Sequence, residues 1–562
     1  MGSAAMSEGS TKAGAFGRAI GDLGKLSDAE NELLGAVCQG RPAYFGREIA
    51  TTSEERTRRT VRAELVRFLA LDGDDSTPVH EKGVRIQGAL ISNALDFEGC
   101  TLTKDIFLLN CELEGTLTLR DAVTRTINLE GSKCLNIVGD RLEVSGSLLL
   151  RRKFVATGDV RLLGAKISGT LDCGGGSFTG PDRYGNVLAC DGIETGGAVH
   201  LNERFSASGI VRLVGARIGI DLNCATGTFL ADSTGERSDV DRSQEKIAID
   251  LSRAIVVGTL WLTGRHGEVA AFHGGVDLTS AKIGRIVDAV VASAPCSTCD
   301  ALLAGARAGP TFLRLDGLTY DRFGEPTDVT ALSRIAFLYL QREKDLEEVF
   351  KPQPWEQMIK VLRDMGHYKE ARSVAIEKQI RLRKAGKISG PRFWHKLYGG
   401  LSRYGYRPYL LILWALGIAA GCASLFEVGA RYGVMMPTDR RILDEVKDPA
   451  CRPELGGNWT KCPVLVGRYP TFDSIVFSID QILPVISTQQ SKDWAVATVQ
   501  PCSKMGCFGF CATPAEPGIS NTKAAYWPAG LGVWILARAE NLIGWIFGLM
   551  FVAAVSGLIK RD

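Results

Sequence analysis

Between Leu26 and Leu71 apolar positions recur at helical spacing, with Val61, Leu65, Phe68 and Leu69 on one face. Ser27 and Glu30 have the spacing of a capping box, in which each side chain bonds the other's backbone N–H. Arg56, Arg58 and Arg59 fall off the apolar face and read as a solvated surface. From Gly83 the rhythm changes. Val84 to Ile91 alternates apolar and polar residues, as a half-buried strand does. Short stretches of this kind recur as far as Tyr320, separated by Gly, Asn or Asp. One stretch is repeated: Gly158–Ile167 matches Gly209–Ile218, and the match continues through Leu171–Cys173 and Leu222–Cys224. Gly275–Gly284 is a looser third copy. Recurring short strands with small corner residues such as Ala165 and Ala216 predict a β solenoid. One coil cannot bury its own apolar face, but stacked coils bury a continuous core. The preceding helices then read as a cap over the open edge of the first coil. The polar stretches Thr179–Asn186 and Ala231–Glu245 read as loops, the place for contact with a protein partner.

After Pro326 the pattern turns helical. Trp355, Met358, Ile359 and Leu362 share one face of a segment that ends at Gly366, and a second helix follows from Lys369 to Lys384, so an αα-hairpin is predicted. Pro408–Phe426 and Leu542–Ile559 carry no charge and are nineteen and eighteen residues long. At about 1.5 Å per residue each just crosses a hydrocarbon core of roughly 30 Å. Arg538 and Glu540 fall just outside the second span and read as interfacial anchors. Between the spans, Phe472–Ile486 is apolar at helical spacing but too short to cross, so it is an interfacial or re-entrant helix. Span, re-entrant helix, span is the plan of a minimal ion channel. In an oligomer Asp480 would form a carboxylate ring, with Ser478, Gln481 and Pro484 beside it. Gly417 with Gly421, and Gly544 with Gly548, are GxxxG pairs that let helix backbones approach.

The fold class that follows is a mainly β solenoid with an N-terminal helical cap, a helical hairpin and two transmembrane helices. Residues 1–25 are read as tag-derived and disordered, 26–80 as the cap, 81–325 as the β-helix and 326–407 as the basic hairpin. Spans at 408–428 and 529–562, the latter with a cytosolic tail, enclose an extracytoplasmic segment, 429–528, whose helix lies at 471–486. No apolar run follows the start, so no signal peptide is expected.

Charge sets the orientation. Residues 334–407 hold 17 Lys plus Arg against 8 Asp plus Glu. Arg381, Arg383, Lys384, Lys387, Arg392, Lys396, Arg403 and Arg407 precede the first span, where they would meet anionic lipid headgroups and hold that side in the cytosol. Lys560 and Arg561 agree, so both termini are expected in the cytosol of a bacterial inner-membrane protein. Residues 81–320 are nearly balanced, 25 basic against 28 acidic, which disfavours nucleic acid as a partner. Of fifteen cysteines, Cys451, Cys462, Cys502, Cys507 and Cys511 fall on the oxidising side and are candidates for disulfides. Cys100, Cys111, Cys134, Cys173 and Cys224 read as buried core residues. Cys296 and Cys299 form a CxxC with no second pair, and the six histidines have no metal-ligand spacing. No catalytic, cofactor or metal site is therefore expected.

Several segments together resemble a group of bacterial membrane-anchored β-helix proteins of pentapeptide-repeat type with a two-span, channel-like C-terminal domain. They are Arg62–Arg67, Val211–Ile218, Leu315–Tyr320, Gln353–Gln357, Tyr404–Pro408, Phe477–Val485 and Gly557–Asp562. That group is often labelled membrane-associated oxidoreductase. The resemblance implies the architecture. The chain carries no GxGxxG after a strand and no haem CxxCH, so a non-enzymatic role is expected. The function expected is that of an oligomeric effector or sensor, with a cytosolic β-helix coupled to an ion-conducting membrane domain. The alternative is a membrane-anchored scaffold that binds partner proteins.

Overall fold

The computed structural model describes residues 19–231, 246–264, 269–289, 311–388, 390–453, 457–483, 488–500, 502–505, 511–514, 525–526 and 528–556. Pro484, Cys507, the Cys296–Cys299 pair, Lys560 and Arg561 lie outside them. The chain divides into two compact units, residues 1–387 and 388–562.

The first unit is built on three parallel sheets of 16, 9 and 9 strands. Ile106, Ile127, Leu148 and Leu171 pair in one row, separated by 21, 21 and 23 residues. Leu113, Cys134, Ala156 and Phe178 form a second row, and Leu117, Ile137, Val160 and Leu188 a third. Successive strands of the chain fall on these rows in rotation, so parallel strands are stacked level upon level, an arrangement that fits a β-helix-like fold. The inward residue of each two-residue strand is buried and its neighbour is partly exposed, which explains the alternating sequence.

Asp or Asn after an inward Leu, Ile or Val marks the corners. Asp96, Asn128, Asp172, Asn223, Asp250 and Asp277 each accept a bond from the backbone N–H two residues on. These Asx turns satisfy N–H groups that the bend removes from the sheets. Gly164, Gly192 and Gly215 turn one corner at positive φ on successive levels, and Asp121 and Arg141 adopt the same conformation on earlier levels.

Inside, Phe154, Phe178, Phe205, Phe229 and Phe272 form a ladder with ring centroids 5.7, 5.3, 5.4 and 4.8 Å apart. The rings do not occupy one register. Ala156, Phe178, Ala207 and Phe229 align in a column, while Phe154 and Phe205 stand two residues earlier. Gly176 and Gly227 occupy that earlier position where the ring is in the column, and a Cβ on either would press on the adjacent ring. Large and small side chains thus exchange places over the levels from Phe154 to Phe229, and Phe272 then stacks on Phe229 in the same column, which fills the core. The thiols of Cys100, Cys111, Cys134, Cys173 and Cys224 are buried as expected. Burial pushes those of Cys111, Cys134 and Cys224 up to about 12, which keeps them inert.

Both ends of the stack are covered. At the N-terminus the capping box of Ser27 and Glu30 starts the helix Asp28–Cys38. The expected long helical run is instead broken into Ser53–Arg58 and Ala63–Ala70 by the strand Thr60–Arg62, which pairs with Leu90–Ser92. Arg56 is not simply solvated. It bonds Glu112 and Glu114 and ties the cap to the strands. At the other end the helices Ala331–Tyr339, Gln353–Asp364 and Tyr368–Lys384 close the stack. Gln353 caps the last corner through the Gly317 N–H and the Leu318 carbonyl, and Gln357 bonds the Tyr320 carbonyl. Arg334, fully buried, makes a bidentate pair with Asp288 at 2.8 and 2.9 Å.

The second unit holds two helices long and apolar enough to cross a membrane, Tyr409–Arg431 and the apolar part of Pro528–Val555. Ile412, Leu413, Leu416, Leu542, Leu549 and Val552 face outward on them. The second helix begins well before Leu542 and contains Arg538 and Glu540. Phe426, Met435, Trp459, Phe477 and Trp494 form a core with the Cys451–Cys462 disulfide. Cys502 and Cys511 lie on the two strands of one antiparallel pair.

Replacing Phe205 with Ala is expected to lower stability by about 3–5 kcal/mol, the cost of an aromatic cavity. Urea unfolding of the full chain in detergent, followed by circular dichroism, checks this. A loss below about 1 kcal/mol would mean that the ladder is not a packed core.

Candidate functional site

The most unusual chemistry of the second unit lies where three helices meet. The short helix Ser474–Ile482 packs against both long apolar helices. Asp473 starts it as N-cap, accepting from the N–H groups of Ile475 and Val476 at 2.9 and 3.1 Å. It is shorter than the expected 471–486. At its C-terminal end Gly544 comes so close to the Ile482 carbonyl that a Cβ would collide with it, and Asn541 donates to the Gln481 carbonyl at 3.2 Å. The second GxxxG therefore contributes one contact glycine, facing the short helix. A Cβ at Gly548, Gly417 or Gly421 would enter open space.

At the centre of the junction, Ser478 and Glu540 are both buried, at 0% and 1% exposure. The Ser478 Oγ lies 2.9 Å from the Ala419 carbonyl oxygen and also bonds Glu540 Oε1. Cys422 stands beside the same carboxyl. Glu540 Oε2 is buried without a hydrogen-bond partner. Among the described residues no ion pair reaches Glu540. Arg538 is exposed and lies over the Trp534 ring, 5.6 Å from its centroid. The cluster draws on 409–431, 474–482 and 528–555, so it exists only when all three helices are assembled.

Asp480 faces elsewhere. One oxygen accepts from the Thr488 N–H at 2.6 Å and its hydroxyl at 2.7 Å, the other from the Ser491 N–H at 3.1 Å. Within one chain this carboxylate is engaged by the segment that follows its own helix. Gln481 contributes its backbone carbonyl, and Ser478 belongs to the Glu540 cluster rather than to Asp480.

The eight basic residues divide between the units. Arg381 is buried, not lipid-facing: its guanidinium lies over the Tyr339 ring at 4.3 Å, donates to the Tyr339 hydroxyl at 2.8 Å and pairs with Glu347 and Glu377. The hairpin needs this cation for its own packing. Lys387 reaches the Phe350 carbonyl at 3.4 Å, Arg383 is partly buried and Lys384 is exposed. In the second unit Arg392, Lys396, Arg403 and Arg407 are exposed, the first two on the helix Arg392–Ser402 together with exposed Phe393 and Trp394. Among the described residues no group of three His, Cys, Asp or Glu could hold a metal.

No protein-family model, no curated protein and no solved structure matches this chain.

Gly544→Ala is expected to unseat the short helix and lower stability by about 1–3 kcal/mol through overpacking. Gly548→Ala, one helical turn on, is expected to change it by less than about 0.5 kcal/mol or to raise it. Thermal unfolding of the full chain in detergent compares the two. Equal losses would contradict the seat at Gly544.

Proposed function

We propose that this is a membrane effector or sensor: a β-helix-like solenoid receives a signal in the cytosol, and a two-span domain responds by moving ions. The observation that carries this reading is the buried polar junction of Ser478 and Glu540, held by a third helix between the two apolar ones. A passive anchor needs only apolar spans. An ionisable group inside a span costs several kcal/mol and belongs to sites with work to do. The short helix would be re-entrant, since its polar groups meet partners on both neighbours. The exposed basic residues of 392–407 support a cytosolic side facing anionic lipid, with both termini there. The resemblance to bacterial membrane-anchored β-helix proteins with a two-span C-terminal domain supports the same architecture. Conduction through a ring of Asp480 carboxylates draws no support from a side chain engaged by Thr488 and Ser491, so the path is assigned to the junction instead.

A second reading, an anchored scaffold for partner proteins, is favoured by exposed Ile220 and Val257, which lie on adjacent levels of the stack, where the Gly258 N–H bonds the Ile220 carbonyl.

Ion flux through liposomes containing the full chain tests the first reading. Flux is expected, and Ser478→Ala is expected to change it severalfold while Gly548→Ala leaves it alone. Absence of flux across salts and voltages, for wild type and variants alike, would favour the scaffold.

A further inference from the structure

Hydrogen counting at the junction leads beyond an ion path of unspecified kind. The Ser478 hydroxyl has one hydrogen and two neighbours, the Ala419 carbonyl oxygen and Glu540 Oε1. Either neighbour can accept that hydrogen, and the carbonyl can do nothing else, so both contacts are hydrogen-bonded at once only when Ser478 gives its hydrogen to Ala419. The contact between Ser478 and Glu540 then needs a second hydrogen, and only the carboxyl can supply it. We infer that Glu540 is a proton-binding site within the membrane unit, holding its proton on Oε1 as a donor to Ser478. The inference rests on the effector reading and specifies the ion.

The surroundings agree on independent grounds. The helix 409–431 presents Cys422 and the Ala419 carbonyl, and 474–482 presents Ser478, while Asp480 on that helix is engaged at Thr488 and Ser491. On Glu540's own helix Arg538 faces outward over Trp534. No cation is thus supplied by the described residues, and a buried anion with no partner charge is far costlier than a neutral acid. Oε2 accepts no well-formed hydrogen bond, and the weak thiol donor of Cys422 is the one further hydrogen beside the carboxyl, which suits a carbonyl-type oxygen better than half of a bare carboxylate.

The proton also holds the helices together. With it, two hydrogens serve two contacts in a chain from Glu540 through Ser478 to Ala419. Without it, two acceptors compete for one serine hydrogen, and an anion is left inside the junction. Release of the proton therefore loosens the short helix from one of its neighbours, which links protonation to the position of that helix.

Infrared difference spectroscopy of the full chain in liposomes tests the assignment, because a carboxylic acid and a carboxylate absorb at different frequencies. Wild type minus Glu540→Gln is expected to show one carboxylic-acid C=O band at neutral pH, shifted by exchange into heavy water and lost at alkaline pH. Ser478→Ala minus wild type is expected to show that band moved to the frequency of a weaker hydrogen bond. Glu540→Gln can donate its amide N–H to Ser478 as the acid does, so it is expected to unfold at the wild-type temperature at neutral pH. A carboxylate signal in place of the acid band at neutral pH would overturn the inference. The band is read without any flux, so protonation can fail while conduction stands, and conduction can fail while the band remains.

Discussion

Withdrawing a polar group from water costs several kcal/mol unless another polar group meets it, and the backbone itself carries such groups at every residue. In the first unit that requirement is met by repetition. Each level supplies strand partners to the next, and the Asx side chains at the corners take the N–H groups that the bends leave over. Charges follow the same rule across levels: Arg151 pairs with Glu130 and Asp172, Arg161 with Asp140, Arg212 with Asp191 and Arg314 with Asp277. These pairs bring opposite charges together between neighbouring levels of the stack.

At the end of the stack the rule admits a deeper exception. Arg334 enters the core because Asp288 meets it with two bonds and the Phe323 and Phe337 rings flank it. The second unit carries a further exception, with a carboxyl and a hydroxyl in place of an ion pair. There the partner is a single serine on a short helix, so polar satisfaction and helix position become the same variable. That is the physical basis for treating the unit as more than an anchor.

Much of the fold was legible in the sequence, because period-2 alternation, corner Asp and Asn, and the copy of Gly158–Ile167 at Gly209–Ile218 all report local geometry. The capping box at Ser27 and the two apolar helices were legible for the same reason. The aromatic ladder was not, since its first four rings alternate between positions two residues apart and Gly176 and Gly227 take the vacated places. Arg381 read as a surface cation because its partner Tyr339 lies 42 residues away. Glu540 read as the edge of a span because a charge in an apolar run signals an end unless a distant partner receives it. That partner, Ser478, is 62 residues away. Long-range pairing leaves no mark on local periodicity, and a candidate site built from three separate helices consists of little else.

Proton binding and ion movement both require the short helix to lie between the apolar helices inside the bilayer. Its outward-facing residue Ile475 is 63% exposed in the unit, so in a membrane it would face lipid, whereas Val466, 76% exposed, lies outside the apolar helices. The most direct measurement is the labelling of Ile475→Cys and Val466→Cys, each in liposomes, by a maleimide that cannot enter the bilayer. Rapid labelling is expected at 466 and none at 475, with a spin label at 475 relaxed by lipid-soluble oxygen. Equal labelling of the two positions would place the helix in water and contradict a membrane-embedded junction.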